Sequence, residues 1–145
     1  MFTQEAKECH FKSIREGQEE KCDYQISPTV YGSFLESFGD ANPIHMDSEF
    51  AKSVGFQDRV MHGAILNGFL SHFVGMRFPG RNSLLLGVEI RFANPSYLND
   101  HLTLTAKVDQ IVESRNVIVL HFEFTNNTQK TCAAKGVVHV RVRDE

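Results

Sequence analysis

The chain has 145 residues, enough for one ordinary domain, and its 41% apolar and 23% charged residues are typical of a folded soluble protein rather than a disordered one. A formal net charge of -3 with no block of one sign disfavours nucleic acid as the main partner, which calls for a concentrated positive stripe. Cys9, Cys22 and Cys132 are odd in number and contain no CxxC pair, which argues against a disulfide framework or a zinc-finger spacing and leaves reduced thiols.

The first residues, Met1 to His10, are polar and lack the apolar core of a signal peptide. No run approaches the length of a membrane span, so a cytoplasmic protein with no membrane partner is expected. Phe11 to Ile26 is polar with scattered apolar positions and reads as strand or loop; its charged run around Glu19-Glu20-Lys21 is mixed and suits a solvated face. Ser27-Pro28 is then a helix start, a capping hydroxyl followed by a proline whose missing N–H costs nothing there. Val30, Phe34, Leu35 and Phe38 follow at helical spacing and stop before Gly39. The stretch from Asp40 to Asp47 reads as irregular, because Pro43 forces Asn42 out of the helical region. Ser48 is placed to cap a short helix closed by Gly55. From Gly63 to Gly75 the sequence is apolar on most sides, which predicts a buried helix.

The second half has a different texture. Leu84 to Phe92, Leu102 to Val112, Val117 to Phe124 and Val137 to Val142 alternate with period two, and Asn126-Asn127 reads as a hairpin turn. With no repeat and no low-complexity linker, residues 1–145 are expected to form a single domain. Helices first and consecutive long strands afterwards make an α+β fold, packed most economically as an antiparallel sheet wrapped around the buried helix.

Asp40, Asn42, His45 and Asp47 fall within eight residues. They suit local turn chemistry, in which Asx side chains bond the backbone, and they equally suit a carboxylate and an imidazole converging on one water as an acid–base pair. Asp-x-Asn also resembles part of a calcium loop, but the glycine and terminal glutamate are missing, and His45 and His62 lack a ligand spacing, so no metal is expected. Gly63 at the start of the buried helix is either a tight turn or an oxyanion donor, its N–H aimed off a helix N-terminus. His62 reads first as a hydrogen-bonding histidine; Asn67 and Ser71, further along the helix, are polar groups able to face the same pocket.

Taken together, Asp40-Ala41-Asn42-Pro43-Ile44-His45-Met46-Asp47 closely resembles the D-x-N-P-[ILV]-H-x-D motif of the MaoC-like (R)-specific enoyl-CoA hydratases, also called hydratase 2. The resemblance continues through Ala51, Gly55-Phe56, Val60-Met61-His62-Gly63 and Phe78-Pro79-Gly80, weakens at Arg91-Phe92-Ala93-Asn94-Pro95, and spans roughly residues 30 to 140. It implies the hotdog fold, an antiparallel sheet around a central helix, and a homodimer or larger homo-oligomer. It also implies reversible addition of water to a trans-2-enoyl thioester, with Asp40 accepting the water proton, His45 sharing in delivery to the α-carbon and Gly63 N–H holding the thioester oxygen. Asn42, His62, Asn67 and Ser71 are the expected substrate-binding residues. The expected substrate is an acyl-CoA or acyl-carrier-protein thioester, with no cofactor beyond the pantetheine it carries. Hotdog domains also host acyl-CoA thioesterases and non-catalytic thioester-binding subunits, which remain the alternatives. Phe38, Arg59, Asn67, Ser96 and Asn99 depart from the family pattern, and Asn67 and Phe69 bear on the length of the acyl tunnel.

Overall fold

The computed structural model describes residues 4–143. Ahead of the first helix, Phe11–Ser13 makes a short 3-10 turn and Glu19–Gln25 forms strand β1. The inward positions of β1 are Glu20, Cys22 and Tyr24, none of them aliphatic, so alternation alone signals this strand poorly.

Helix α1 (Pro28–Phe38) forms as its caps dictate. Ser27 Oγ accepts from Val30 N–H at 3.1 Å, and Gly39 ends the helix in the left-handed region at φ 67°. No residue of α1 is fully buried; Val30, Tyr31 and Phe34 rest against the core, while Phe38 is 73% exposed.

The next stretch corrects two expectations. Residues 40–47 are not irregular throughout, because Pro43–Met46 makes one helical turn, α2. Pro43 restricts Asn42, which lies outside the helix at ψ 135°, yet the proline itself suits the first helical position and Asn42 Oδ1 caps it through Ile44 N–H at 3.1 Å. Helix α3 (Ser48–Ser53) is capped by Asp47 rather than Ser48: Asp47 Oδ1 accepts from Glu49 and Phe50 N–H at 2.9 and 3.1 Å. A hydroxyl and a carboxylate stood side by side there, and the carboxylate takes the role one residue earlier.

Helix α4 (Ala64–His72) continues through a π-helical turn at Phe73–Arg77. It was expected to be buried on most sides and is buried along one. Ile65, Leu66 and Leu70, followed by Phe73 and Val74, join the core, whereas Ala64, Asn67, Gly68 and Ser71 are exposed. At 100° per residue these four small or polar residues share one face, so the helix is two-sided despite its apolar composition.

The remaining strands are β2 (Ser83–Phe92), β3 (His101–Val112), β4 (Val117–Asn126) and β5 (Thr131–Val142). They complete a five-stranded antiparallel sheet in the order β1-β3-β4-β5-β2. Register places Leu104 opposite Phe124 and Leu120 opposite Val138, stacking apolar rows against α4. Asn126 Oδ1 accepts from Thr128 and Gln129 N–H at 3.1 and 3.0 Å, closing the hairpin at the place the paired asparagines predict.

Strand β5 starts at Thr131 rather than Val137. Its first half contains Ala133, Ala134 and Gly136, poor strand formers on their own. Gly136 is required by packing: a Cβ there would collide with the carbonyl oxygen of Glu89 on β2. Among the described residues no helix is long and apolar enough to cross a membrane.

Candidate active site

The site is assembled from the two segments that sequence reading singled out, Asp40 to His45 and Val60 to Gly63. The left-handed Gly39 turns the chain out of α1 and presents Asp40; α2 then returns His45 toward it, leaving Asp40 Oδ2 and His45 Nε2 3.7 Å apart. The two segments lock together through the backbone, with Val60 N–H donating to Ile44 O at 3.0 Å. His45 Nδ1 lies 2.7 Å from the carbonyl oxygen of Val60. A carbonyl only accepts, so Nδ1 carries a proton and Nε2 faces the Asp40 carboxylate, as a lone pair when the ring is neutral. Tyr31 O–H donates to the His45 carbonyl at 2.7 Å, tying the same residue to α1. At 3.7 Å the pair is too far apart for a direct hydrogen bond. With the ring neutral both facing atoms are acceptors, and a water giving one O–H to each would satisfy both.

A cleft of about 330 Å³ adjoins the pair. His45, Val60, His62 and Gly63 line it, and Phe56, Met61, Leu66 and Phe92 supply apolar walls. Gly63 precedes the first residue of α4, where backbone N–H groups have no partner inside the helix and the macrodipole is positive. A Cβ on residue 63 would meet the Phe92 ring at 3.0 Å, so the lack of a side chain keeps this end of the cleft open.

The cleft wall is held by a buried polar network. Asp100, 2% exposed, accepts from Asn126 Nδ2 at 2.7 Å, Tyr97 N–H at 2.9 Å and Gln129 Nε2 at 3.0 Å. Ser96, on the same segment, takes Met61 N–H on its carbonyl at 2.9 Å, next to His62 and Gly63. The sequence carries no local signal for this network, nor for the Val60 carbonyl or the Tyr31 hydroxyl. Residues 96–100 and 126–129 are far apart along the chain, and several of the groups are backbone.

The expected site residues divide in two. His45 and Gly63 line one cleft, and Asp40 stands 3.7 Å from His45 beside it. Asn42 is exposed and spends its side-chain oxygen on capping α2, so it orients the loop that carries the pair. His62 is 3% exposed; its Nε2 donates to the Asp40 carbonyl at 2.8 Å and its ring stacks on His45 with centroids 3.9 Å apart. Asn67 and Ser71 do not face this cleft within the chain. Neither lines it, and around α4 they lie about 100° and 140° from Leu66, which does. Asn67 opens into a separate apolar groove of about 660 Å³ between α1 and α4, with Val30, Phe34 and Phe69. Asp40, His45 and His62 offer donor atoms within 4.8 Å of one another, a composition that suits a metal ion. Each imidazole spends one ring nitrogen on a main-chain carbonyl, His45 Nδ1 on Val60 and His62 Nε2 on Asp40, which leaves one nitrogen of each for such a group.

The family described as MaoC like domain matches residues 12–130. This chain belongs to that family. It is 29% identical over 129 residues to an (R)-specific enoyl-CoA hydratase of Rhodospirillum rubrum, an alignment covering 89% of the chain and 85% of the relative. It is 28% identical to a 3-hydroxybutyryl-CoA dehydratase of Methylorubrum extorquens, over 73% of the chain and 68% of the relative. Among solved structures it resembles the R-hydratase PhaJ1 of Pseudomonas aeruginosa, with a TM-score of 0.86 at 22% identity over 95% of this chain and 88% of the other. The fold of this MaoC-like chain is the hotdog, as its sheet and central helix lead one to expect.

Proposed function

We propose that this MaoC-like chain is a hydro-lyase that reversibly adds water to a trans-2-enoyl thioester, giving a (3R)-3-hydroxyacyl thioester. One observation carries the reading: two proton acceptors, Asp40 Oδ2 and His45 Nε2, stand 3.7 Å apart beside a cleft whose polar end also includes Gly63. The relatives named as hydratase and dehydratase support the same reaction class.

In this reading the water gives one O–H to Asp40 and one to His45, leaving its lone pair for C3 of the substrate. The thioester oxygen accepts from Gly63 N–H at the helix N-terminus, which stabilises the enolate that forms when the water oxygen bonds to C3. The proton released from the water passes into the Asp40–His45 pair, and the pair returns one to C2. The net change is addition of H and OH across the double bond, with the enzyme restored. The apolar walls take the acyl chain; coenzyme A or carrier-protein pantetheine enters as part of the substrate, and no other cofactor takes part. The protein works in the cytoplasm as a homodimer. Support for a second copy comes from β2, an edge strand on which Leu84, Leu86 and Phe92 are 50%, 47% and 53% exposed.

The test follows the loss of enoyl absorbance of crotonyl-CoA and longer enoyl-CoAs, with chiral analysis of the product and light scattering for the assembly. Hydration to the (3R) product by a dimer is expected. Release of free thiol with the enoyl absorbance intact would establish a thioesterase, and binding without turnover would establish a non-catalytic subunit.

A further inference from the structure

His62 is the most deeply buried polar group beside the acid–base pair; it also lines the cleft, and no step proposed above uses it. It packs against the rings of His45, Phe34 and Tyr31, with centroids 3.9, 4.7 and 5.9 Å away. Its Nδ1 is buried and has no hydrogen-bond partner among the described residues. An unsatisfied buried nitrogen is costly, and a phenylalanine or leucine would fill such an aromatic cage without that cost. What the histidine offers over an apolar ring is its second nitrogen, which donates to the Asp40 carbonyl at 2.8 Å.

That bond falls where it is needed. The Asp40 side chain is 53% exposed, and its other described hydrogen bond, from Asn42 N–H, is 3.3 Å long. His62 therefore links an exposed carboxylate-bearing residue to the core, while the same ring supports the face of His45. We propose that His62 is a positioning residue: through its Nε2–H to the Asp40 carbonyl and its stack on His45, it sets the separation at which the two groups share one water. The proposal rests on the hydratase reading for its catalytic consequence, but the positioning itself can be measured without turnover.

The test uses the full chain with two substitutions that split the two contacts. His62→Phe keeps a stacking ring and removes the donor; His62→Gln keeps an N–H within reach of the Asp40 carbonyl and removes the ring. Unfolding curves first establish that each variant is folded. With crotonyl-CoA, His62→Phe is expected to lose at least tenfold in kcat with KM within twofold of the parent, and His62→Gln to recover most of that loss. NMR reads the same bond directly. In the parent at neutral pH, His62 should carry its proton on Nε2, and the Asp40 carbonyl ¹³C shift should move in His62→Phe and return in His62→Gln.

Parental kcat in a folded His62→Phe would overturn the proposal. So would equal inactivity of both variants with raised KM, which would make His62 a substrate contact. A proton on His62 Nδ1, or an Asp40 carbonyl shift that ignores the substitutions, would overturn it even if His62→Phe failed to fold. If the parent hydrates no enoyl-CoA, the hydratase reading fails while the carbonyl measurement still decides whether His62 positions Asp40.

Discussion

Residues 27–63 and residues 83–142 are built on opposite plans. In the first stretch α1 and α2 contain no fully buried residue, and α3 buries only Ala51. Its shape comes from caps and cross-links: Ser27, Asn42 and Asp47 on helix starts, Tyr31 O–H and the Val60 carbonyl on His45. In the second, β3, β4 and β5 bury unbroken apolar rows that include Leu102, Leu104, Leu120, Phe124, Val138 and Val140, all at 0% exposure. Reactive side chains thus stand on a thin layer held by directional polar bonds, above a sheet that supplies the bulk of the buried apolar area. The difference teaches that chemistry and stability are separable in this molecule, because few groups serve both.

The sharpest way to break that comparison is to change one residue from each region. Asp40→Asn and His45→Gln should each lower kcat by about 10²- to 10⁴-fold, the usual yield of a positioned acid–base group. Asp40→Asn alters a half-exposed side chain, so its stability should stay within about 0.5 kcal/mol of the parent. Leu120→Ala should do the reverse, costing about 2–5 kcal/mol while the folded fraction keeps its kcat. Denaturant titration beside steady-state kinetics checks all three. If Asp40→Asn unfolds the chain as readily as Leu120→Ala, the separation is wrong.

Gly63 is the residue at which the two regions meet, and its substitution sharpens where the boundary lies. Gly63→Ala sets a methyl 3.0 Å from the ring of Phe92, which is 53% exposed in the single chain and has to give only a few tenths of an ångström. Stability should therefore fall by less than about 1 kcal/mol, below the range for overpacking a closed core. Activity should fall more, roughly tenfold in kcat/KM, or about 1.4 kcal/mol, because in the proposed reaction the methyl would crowd the N–H offered to the thioester oxygen. Kinetics of Gly63→Ala with and without Phe92→Ala would show this: the second change should recover part of the loss by relieving the ring contact. Full recovery would place the cost in packing alone.

What the sequence reveals about each region follows the same division. Alternating rows such as Leu102, Leu104, Ala106 and Val108 announce their strand, because one face of it is wholly apolar. The start of β5 is silent, since Ala133, Ala134 and Gly136 are chosen for close approach to neighbouring backbone instead of for strand propensity. In the candidate site, Asp40 and His45 stand out through the family motif they belong to, since their types and spacing alone suit a turn as well. Their supports do not: Tyr31 looks like one more apolar position on α1, and the group that sets the His45 tautomer is a main-chain carbonyl. Asn67 and Ser71, expected to bind substrate, lie outside the cleft of the single chain for a related reason. A polar residue on an apolar helix suggests a pocket, and only the rotation of α4 against the sheet determines which side it faces.

The smallest expected effect concerns the far end of α4, where His72 meets β1. Burial lowers the His72 pKa below its ordinary 6.5, with the Arg77 charge acting in the same direction. Tyr24 O–H, 2.9 Å from His72 Nδ1, is pushed up by burial and stays protonated, so the phenol donates and the neutral imidazole accepts. The unfolded chain thus takes up this proton more readily than the folded one. Its contribution to stability is complete above about pH 6.5 and is lost as pH falls through the lower folded value. Replacing His72 with Gln, which keeps an acceptor for Tyr24 but cannot titrate, should shrink the drop in melting temperature between pH 7.5 and pH 5. Because His72 lies at the other end of α4 from Gly63, kcat at neutral pH should not change. A melting curve as acid-sensitive as the parent's would mean that the charge of His72 is met by water or by a partner chain. A change in kcat would mean that the sheet side and the site are coupled along the helix after all.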